Sequence, residues 1–119
     1  MVQIITHPAR IPVPGGKRID EYVGRVNTGT ASVSVAHMVA PPGWSEPTQQ
    51  PDFDEVTIVI RGTMRVEHPG GTLDVEAGET GLVEAGERIR YSNPFDEEVE
   101  YWAVCVPAFS PEAAHREHT

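Results

Sequence analysis

The chain has 119 residues, 39% of them hydrophobic, and eighteen acids against nine bases give a formal charge of −9. That length corresponds to one domain able to bury a core of its own, and the acid excess excludes a surface that gathers phosphate backbones, so no nucleic-acid partner is expected. No apolar run reaches the roughly 20 residues that cross a bilayer, so no membrane partner is expected either. The opening Met1–His7 lacks the basic start and long apolar stretch of a signal peptide, and the single Cys105 excludes an internal disulfide; a reducing cytoplasm is the expected compartment. The acids are unevenly spread, with twelve against five bases in residues 61–119. One Lys stands beside eight Arg.

In chain order, residues 1–20 read as an N-terminal arm, followed by a strand near Tyr22–Val26. Val33, Val35, His37 and Val39 alternate with Ser34, Ala36 and Met38, which is the period of a strand. Pro41–Asp54 is rich in Pro, Gln and acids and reads as a loop. Val56–Ile60 is a run of five β-branched residues, the pattern of a strand covered on both faces. Thr63–Glu67 and Thr72–Glu76 flank Pro69-Gly70-Gly71 and read as a hairpin. Further strands are expected at Thr80–Val83, Arg88–Tyr91 and Val99–Val106. Ser110-Pro111-Glu112 supplies an N-cap, a Pro at the first helical position and an acid in the first turn, so one or two helical turns follow, ending in a tail to residue 119. His115 and His118 in that tail are expected to be solvated. The period-two spacing predicts an all-β sandwich or barrel of eight or more short strands.

Two segments sharpen the fold. Gly43 to Gly62 contains Gln49, Pro51 and Glu55 at spacings that resemble the first motif of the cupin superfamily: Gly, five residues, His-x-His, three or four residues, Glu, six residues, Gly. Gly78 to Asn93 resembles the second motif, matching it at Gly78, Gly86 and Asn93. The resemblance implies a single double-stranded β-helix, the cupin or jelly-roll barrel, over residues 1–119, and ethanolamine-utilisation-type cupins are similar in departing from the metal pattern. In metal-binding members two His, the Glu and a further His hold the ion. Gln49, Pro51, Glu55 and Ile89 stand at those positions here. Pro51 and Ile89 offer no donor and a Gln carbonyl is a poor one, so neither the usual metal nor another cofactor is expected.

The resemblance also implies that Glu55 points into the barrel, where desolvation raises a carboxyl toward neutrality and suits it to general acid–base work. Tyr91 lies two residues beyond Ile89 and shares its strand face. Glu55 and Tyr91 are therefore the candidate catalytic pair, with Gln49, Gln50, Arg61, Ile89, Trp102 and His37 as candidate pocket residues for a small organic molecule. Of the adjacent Tyr101 and Trp102, only one can face inward. Plainer readings stand beside these: Glu55 bonded to Gln49 or paired with Arg61, Tyr91 as a core aromatic, His37 as a solvated strand residue, Cys105 as a small buried apolar group. Three functions follow. The first is a metal-independent isomerase, lyase or cyclase acting through Glu55. The second is a metabolite-binding or structural module, and the third a metal enzyme with a displaced site of Glu55, His37 and Gln49. A homodimer is expected, with Val2–Thr6 adding to the partner's sheet.

Overall fold

The period-two alternation resolves into nine strands and one short helix within residues 1–117, the part of the chain that this computed structural model describes. Strands β1 (Ala9–Ile11), β2 (Arg18–Val23), β3 (Ser34–Ala40), β9 (Val99–Val106), β4 (Asp54–Arg61) and β7 (Thr80–Val83) lie side by side in that order as one antiparallel sheet. Strands β6 (Gly71–Glu76), β5 (Thr63–His68) and β8 (Arg90–Ser92) form the second. The inner faces meet: Val59, Tyr101 and Ala103 from the large sheet pack with Met64, Val66, Val75 and Tyr91 from the small one. Two antiparallel sheets closed over one core are the jelly-roll barrel expected from the motifs.

The elements end where local chemistry stops them. The β5–β6 hairpin runs in register from Thr63 opposite Glu76 to His68 opposite Gly71. Residues 9–11 and 18–20, expected in an arm, are instead paired strand, and β2 stops at Val23, short of the expected Val26, because the buried Glu21 carboxylate accepts from the backbone N–H groups of Val26 (3.0 Å) and Asn27 (2.9 Å) and holds a turn there. The helix α1 (Pro111–Ala114) begins as expected, with Ser110 Oγ accepting from Ala113 N at 3.1 Å. Residues 115–117 after it fold back onto the loop before β4. His115 Nε2 bonds Asp52 Oδ2 at 2.6 Å, and Glu117 N donates to the Thr48 carbonyl at 2.8 Å. His118 lies outside the described residues. No helix among them is long and apolar enough to cross a membrane.

Register decides which side chains see the interior. On β3 the inward set is Ser34, Ala36, Met38 and Ala40, while Val35, His37 and Val39 face out. Small residues on the inner face leave a hollow between the sheets. Strand β4 pairs with β9 from Asp54 opposite Val106 to Val59 opposite Tyr101, then slips, so that Arg61 falls opposite Glu100. This bulge turns Arg61 outward although it shares the sequence parity of Glu55. The outer face of β4 is not covered, contrary to the expectation from its β-branched run: Ile58 and Ile60 are 39% and 47% exposed. β-Branched residues suit a pleated surface whether or not a second layer lies on it.

Gly62 completes the bulge at φ +78°, and a Cβ there would run into the Glu98 carbonyl. Backbone on both sides leaves nothing flexible to yield. Gly62→Ala is expected to destabilise the fold by about 2–4 kcal/mol, from left-handed strain plus overpacking, measured by urea unfolding. A loss below about 0.5 kcal/mol would show that the bulge relaxes freely.

Candidate functional site

The hollow is a cavity of about 290 Å³ between the sheets, with the loop between β1 and β2 among its lining. Pro12, Val13 and Pro14 of that loop line it, and Ile19, Met38, Phe53 and Phe109 supply apolar wall. Gly15, at φ +85°, lets the loop lie down on Trp44; a Cβ would stand 3.3 Å from that ring. The loop then delivers Lys17 into the interior.

Glu55 and Tyr91 both line the cavity, as the resemblance implies. Glu55 sits on β4 opposite Cys105, and Tyr91 on β8 opposite Val66. Glu55 Oε1 and the Tyr91 hydroxyl are each buried without a hydrogen-bond partner among the described residues. Buried polar atoms are rarely left so, because an unmet group keeps its desolvation cost. Burial, reinforced by Glu46, pushes the Glu55 carboxyl up to about 7, against the opposing pull of Lys17 and of the nearby Tyr91 phenol. Tyr91 is pushed well above the ordinary phenol value, first by burial and then by the Glu55 charge. The two groups influence each other, yet their geometry closes no hydrogen bond.

Three charged residues complete the site. The Lys17 side chain is 7% exposed, with Nζ 3.8 Å from Glu46 Oε2 and 4.4 Å from the centre of the Trp44 ring. Burial pulls the Lys17 amine below the ordinary lysine value, with Glu46 and Glu55 acting against that. Arg116 Nη2 lies 3.7 Å from the same Glu46 oxygen, and its Nε donates to Gln49 Oε1 at 3.2 Å. Arg116 reaches the cavity because Gln49 forms an antiparallel bridge with it. None of Lys17, Glu46 and Arg116 was singled out from sequence. For Lys17 a signal existed: it is the chain's one lysine. Glu46 lies inside the first motif and Arg116 in a stretch read as tail, and neither position announces a contact made by folding back.

Of the other sequence candidates, Gln49 lines the cavity, while Ile89 is core packing, joined to Gln49 by a backbone bridge. Gln50 is exposed and donates to the Gly86 carbonyl at 3.0 Å. His37, Trp102 and Arg61 do not belong to the pocket. His37 Nε2 donates to Glu100 Oε2 at 2.8 Å and its ring packs on Trp102, centroids 5.1 Å apart, on the outer face. Arg61 Nε joins the same Glu100 at 3.5 Å. Tyr101, one residue from Trp102, takes the inward place, as strand alternation requires. Since His37 and Glu55 lie on opposite faces of one sheet, the displaced site of Glu55, His37 and Gln49 is not assembled. The four positions that hold an ion in metal-binding relatives do not fit one either: Pro51 and Ile89 are buried and carry no donor. Among the described residues no three His, Cys, Asp or Glu side chains are grouped as a metal site. Cys105 faces the cavity as a small buried residue, and burial pushes its thiol up.

Comparison with known proteins agrees with this architecture. The family model described as "Cupin domain" matches residues 36–107. A curated Myxococcus xanthus protein named endoribonuclease YbeY is 52% identical over 107 residues, which are 90% of this chain; the chain spans only 36% of that protein's length. A solved structure of an ethanolamine utilization protein Q from Salmonella typhimurium superposes with a TM-score of 0.66 at 22% identity, over 78% of this chain and 71% of the other. An RmlC-like cupin from Shewanella frigidimarina superposes with a TM-score of 0.72 at 13% identity, over 89% of both chains. At these identities the two structures speak to the fold alone.

The position of Glu55 has a pH signature. Its carboxyl titrates higher folded, at about 7, than unfolded, near the ordinary glutamate value. Between those two values the folded chain keeps a proton that the unfolded chain has released. Stability from this group is therefore fully present at low pH and is lost as pH rises through about 7. Glu55→Gln removes the titration. Relative to wild type, the variant is expected to gain about 3 kcal/mol of unfolding free energy between pH 4.5 and pH 8, followed by urea unfolding at each pH. A difference that does not change with pH would place Glu55 in ordinary solvent.

Proposed function

This chain belongs to the cupin family, and we propose that its barrel binds a small organic molecule and moves a proton on it through Glu55, with no metal ion taking part. The carrying observation is the pair of buried, unpartnered atoms that face one cavity, Glu55 Oε1 and the Tyr91 hydroxyl. A group between them that donates to one and accepts from the other satisfies both. A carboxyl poised at about 7 populates both its forms near neutral pH, as a general acid or base requires. Tyr91, held protonated, donates a hydrogen bond to oxygen that gains negative charge, while Glu55 takes the proton from the neighbouring carbon. The apolar wall excludes water from that exchange. Isomerisation, elimination and cyclisation all begin with such a step.

The endoribonuclease activity named for the Myxococcus protein does not enter this reading, since a chain of charge −9 repels a phosphate backbone. The reading does include a homodimer. Val2 and Ile4 are 94% and 79% exposed, and Ile58, Ile60, Leu82 and Val106 leave apolar surface on the outside of the large sheet; a second copy laid there removes both from water.

Two experiments test this. Carbonyl compounds that shift the NMR signals of cavity residues are incubated with the protein in heavy water and followed for deuterium entering the carbon beside the carbonyl. Exchange is expected to rise with pH to a plateau with a midpoint near 7, and to fall at least a hundredfold in Glu55→Gln. Exchange that survives the substitution, or no exchange with any compound that binds, overturns the proton-transfer role. Light scattering is expected to give twice the chain mass at micromolar concentration, reverting to one in Ile58→Lys/Leu82→Lys; a monomeric wild type retires the dimer.

A further inference from the structure

The cavity contains a second reactive group that the proton-transfer reading leaves unused. We propose that Lys17 captures a small aldehyde or ketone by forming an imine with its Nζ inside the barrel.

The geometry carries this in three steps. First, Lys17 is the chain's one lysine, and the other eight strong bases are Arg. An amine is what distinguishes it from them, since guanidinium stays charged and does not add to carbonyls. Second, the amine is enclosed and held only by long contacts. Its side chain is 7% exposed, Nζ makes no hydrogen bond among the described residues, and its nearest carboxylate oxygen, on Glu46, is 3.8 Å away. Its donor positions close no hydrogen bond within the described residues, and the cavity it faces has room for a group that would. The neighbouring rings, Trp44 at 4.4 Å and Tyr101 at 5.5 Å from Nζ, fix where the amine sits without consuming it. Third, burial is the largest influence on the amine and lowers it below the ordinary lysine value, with Arg116 adding to that and Glu46 and Glu55 acting against it; desolvation is a device by which lysines are activated toward carbonyl carbon.

The step balances without an oxidant or reductant. The Nζ lone pair forms a bond to the carbonyl carbon while the C=O π pair moves to oxygen, which takes up a proton. The nitrogen gives up one proton and the hydroxyl takes up a second, the nitrogen lone pair then expels it as water, and loss of the remaining amine proton leaves a C=N bond. The net change is amine plus carbonyl to imine plus water. The apolar lining of Pro12, Val13 and Pro14 disfavours the return of water. An imine also draws electrons from the adjacent carbon, so it acidifies the C–H bond that Glu55 faces across the same cavity.

The single lysine makes the test unambiguous, because the chain's other primary amine is the Met1 α-amino group. Wild-type protein is treated at pH 7.5 with sodium cyanoborohydride and, separately, glyoxylate, pyruvate or propanal, and the reduced adducts are mapped by peptide mass spectrometry. An ordinary lysine has roughly 300-fold less neutral amine at this pH than an α-amino group. Lys17 is expected to label with at least one probe within tenfold of the Met1 rate, or faster, and Lys17→Arg is expected to leave only the Met1 adduct. Lys17 labelling more than tenfold slower than Met1 with all three probes overturns the proposal. So does pyruvate or glyoxylate that shifts cavity NMR signals but leaves Lys17 unlabelled, which assigns Lys17 as a counter-ion for the carboxylate. Capture is read on wild-type chain without turnover, so its failure leaves the Glu55 exchange result standing, and the reverse.

Discussion

Strand β9 runs between β3 and β4, and its two registers set the orientation of almost every residue that matters. Ala103 lies opposite Ala36 on one side and Thr57 on the other; Cys105 lies opposite Ser34 and Glu55. Because side chains alternate at a strict period of two, these pairings commit Glu55, Thr57, Tyr101 and Ala103 to the interior together. They commit His37, Trp102 and Glu100 to the outside by the same rule. A one-residue slip in either ladder would exchange the inner set for the outer one and bring an imidazole and an indole into the barrel.

The interior that results carries more charge than an apolar cavity tolerates without compensation. Lys17, Glu46, Arg116 and Glu55 share one space, with Glu46 Oε2 set between the two cations at 3.8 and 3.7 Å. Those distances hold the charges near one another without closing them into hydrogen bonds. Buried ions recover their desolvation cost only with close partners and further hydrogen bonds. Here the recovery is incomplete, and the strain appears as a carboxyl raised to about 7 and an amine lowered from its usual value. A polar ligand that bonds Glu55, Tyr91 or Lys17 relieves it, so the same incompleteness that weakens the empty barrel favours occupation.

Much of the scaffold was legible in the chain. Gly62 and Gly78 mark sharp corners where positive φ is required, and Asn93 at the end of the second motif is wholly buried. Its side chain donates to the carbonyls of Pro41 (3.2 Å) and Glu97 (2.8 Å), tying two loops to one point. Such residues are recognisable because the backbone geometry they serve tolerates little else. The inward carboxylate was legible too, through its distance from Gly43 and Gly62. Arg61 was misplaced because parity was counted through a bulge, which no residue spacing displays. His37 was misplaced because β3 alternates apolar residues on both faces, Val on one and Ala or Met on the other.

The sequence by itself determined the fold class, the hairpin, the capped helix and the loss of ligand-bearing side chains at Pro51 and Ile89, since each follows from local periodicity, turn chemistry or side-chain composition. Only the tertiary structure decided that Lys17, Glu46 and Arg116 meet. They come from the first hairpin, the long loop and the segment after the helix, 29 and 70 positions apart in the chain. What joins them is a backbone bridge at Gln49 and a loop seated on Trp44. Charges drawn together in this way leave no pattern in one dimension, because the force that assembles them is the burial of the apolar surface around them.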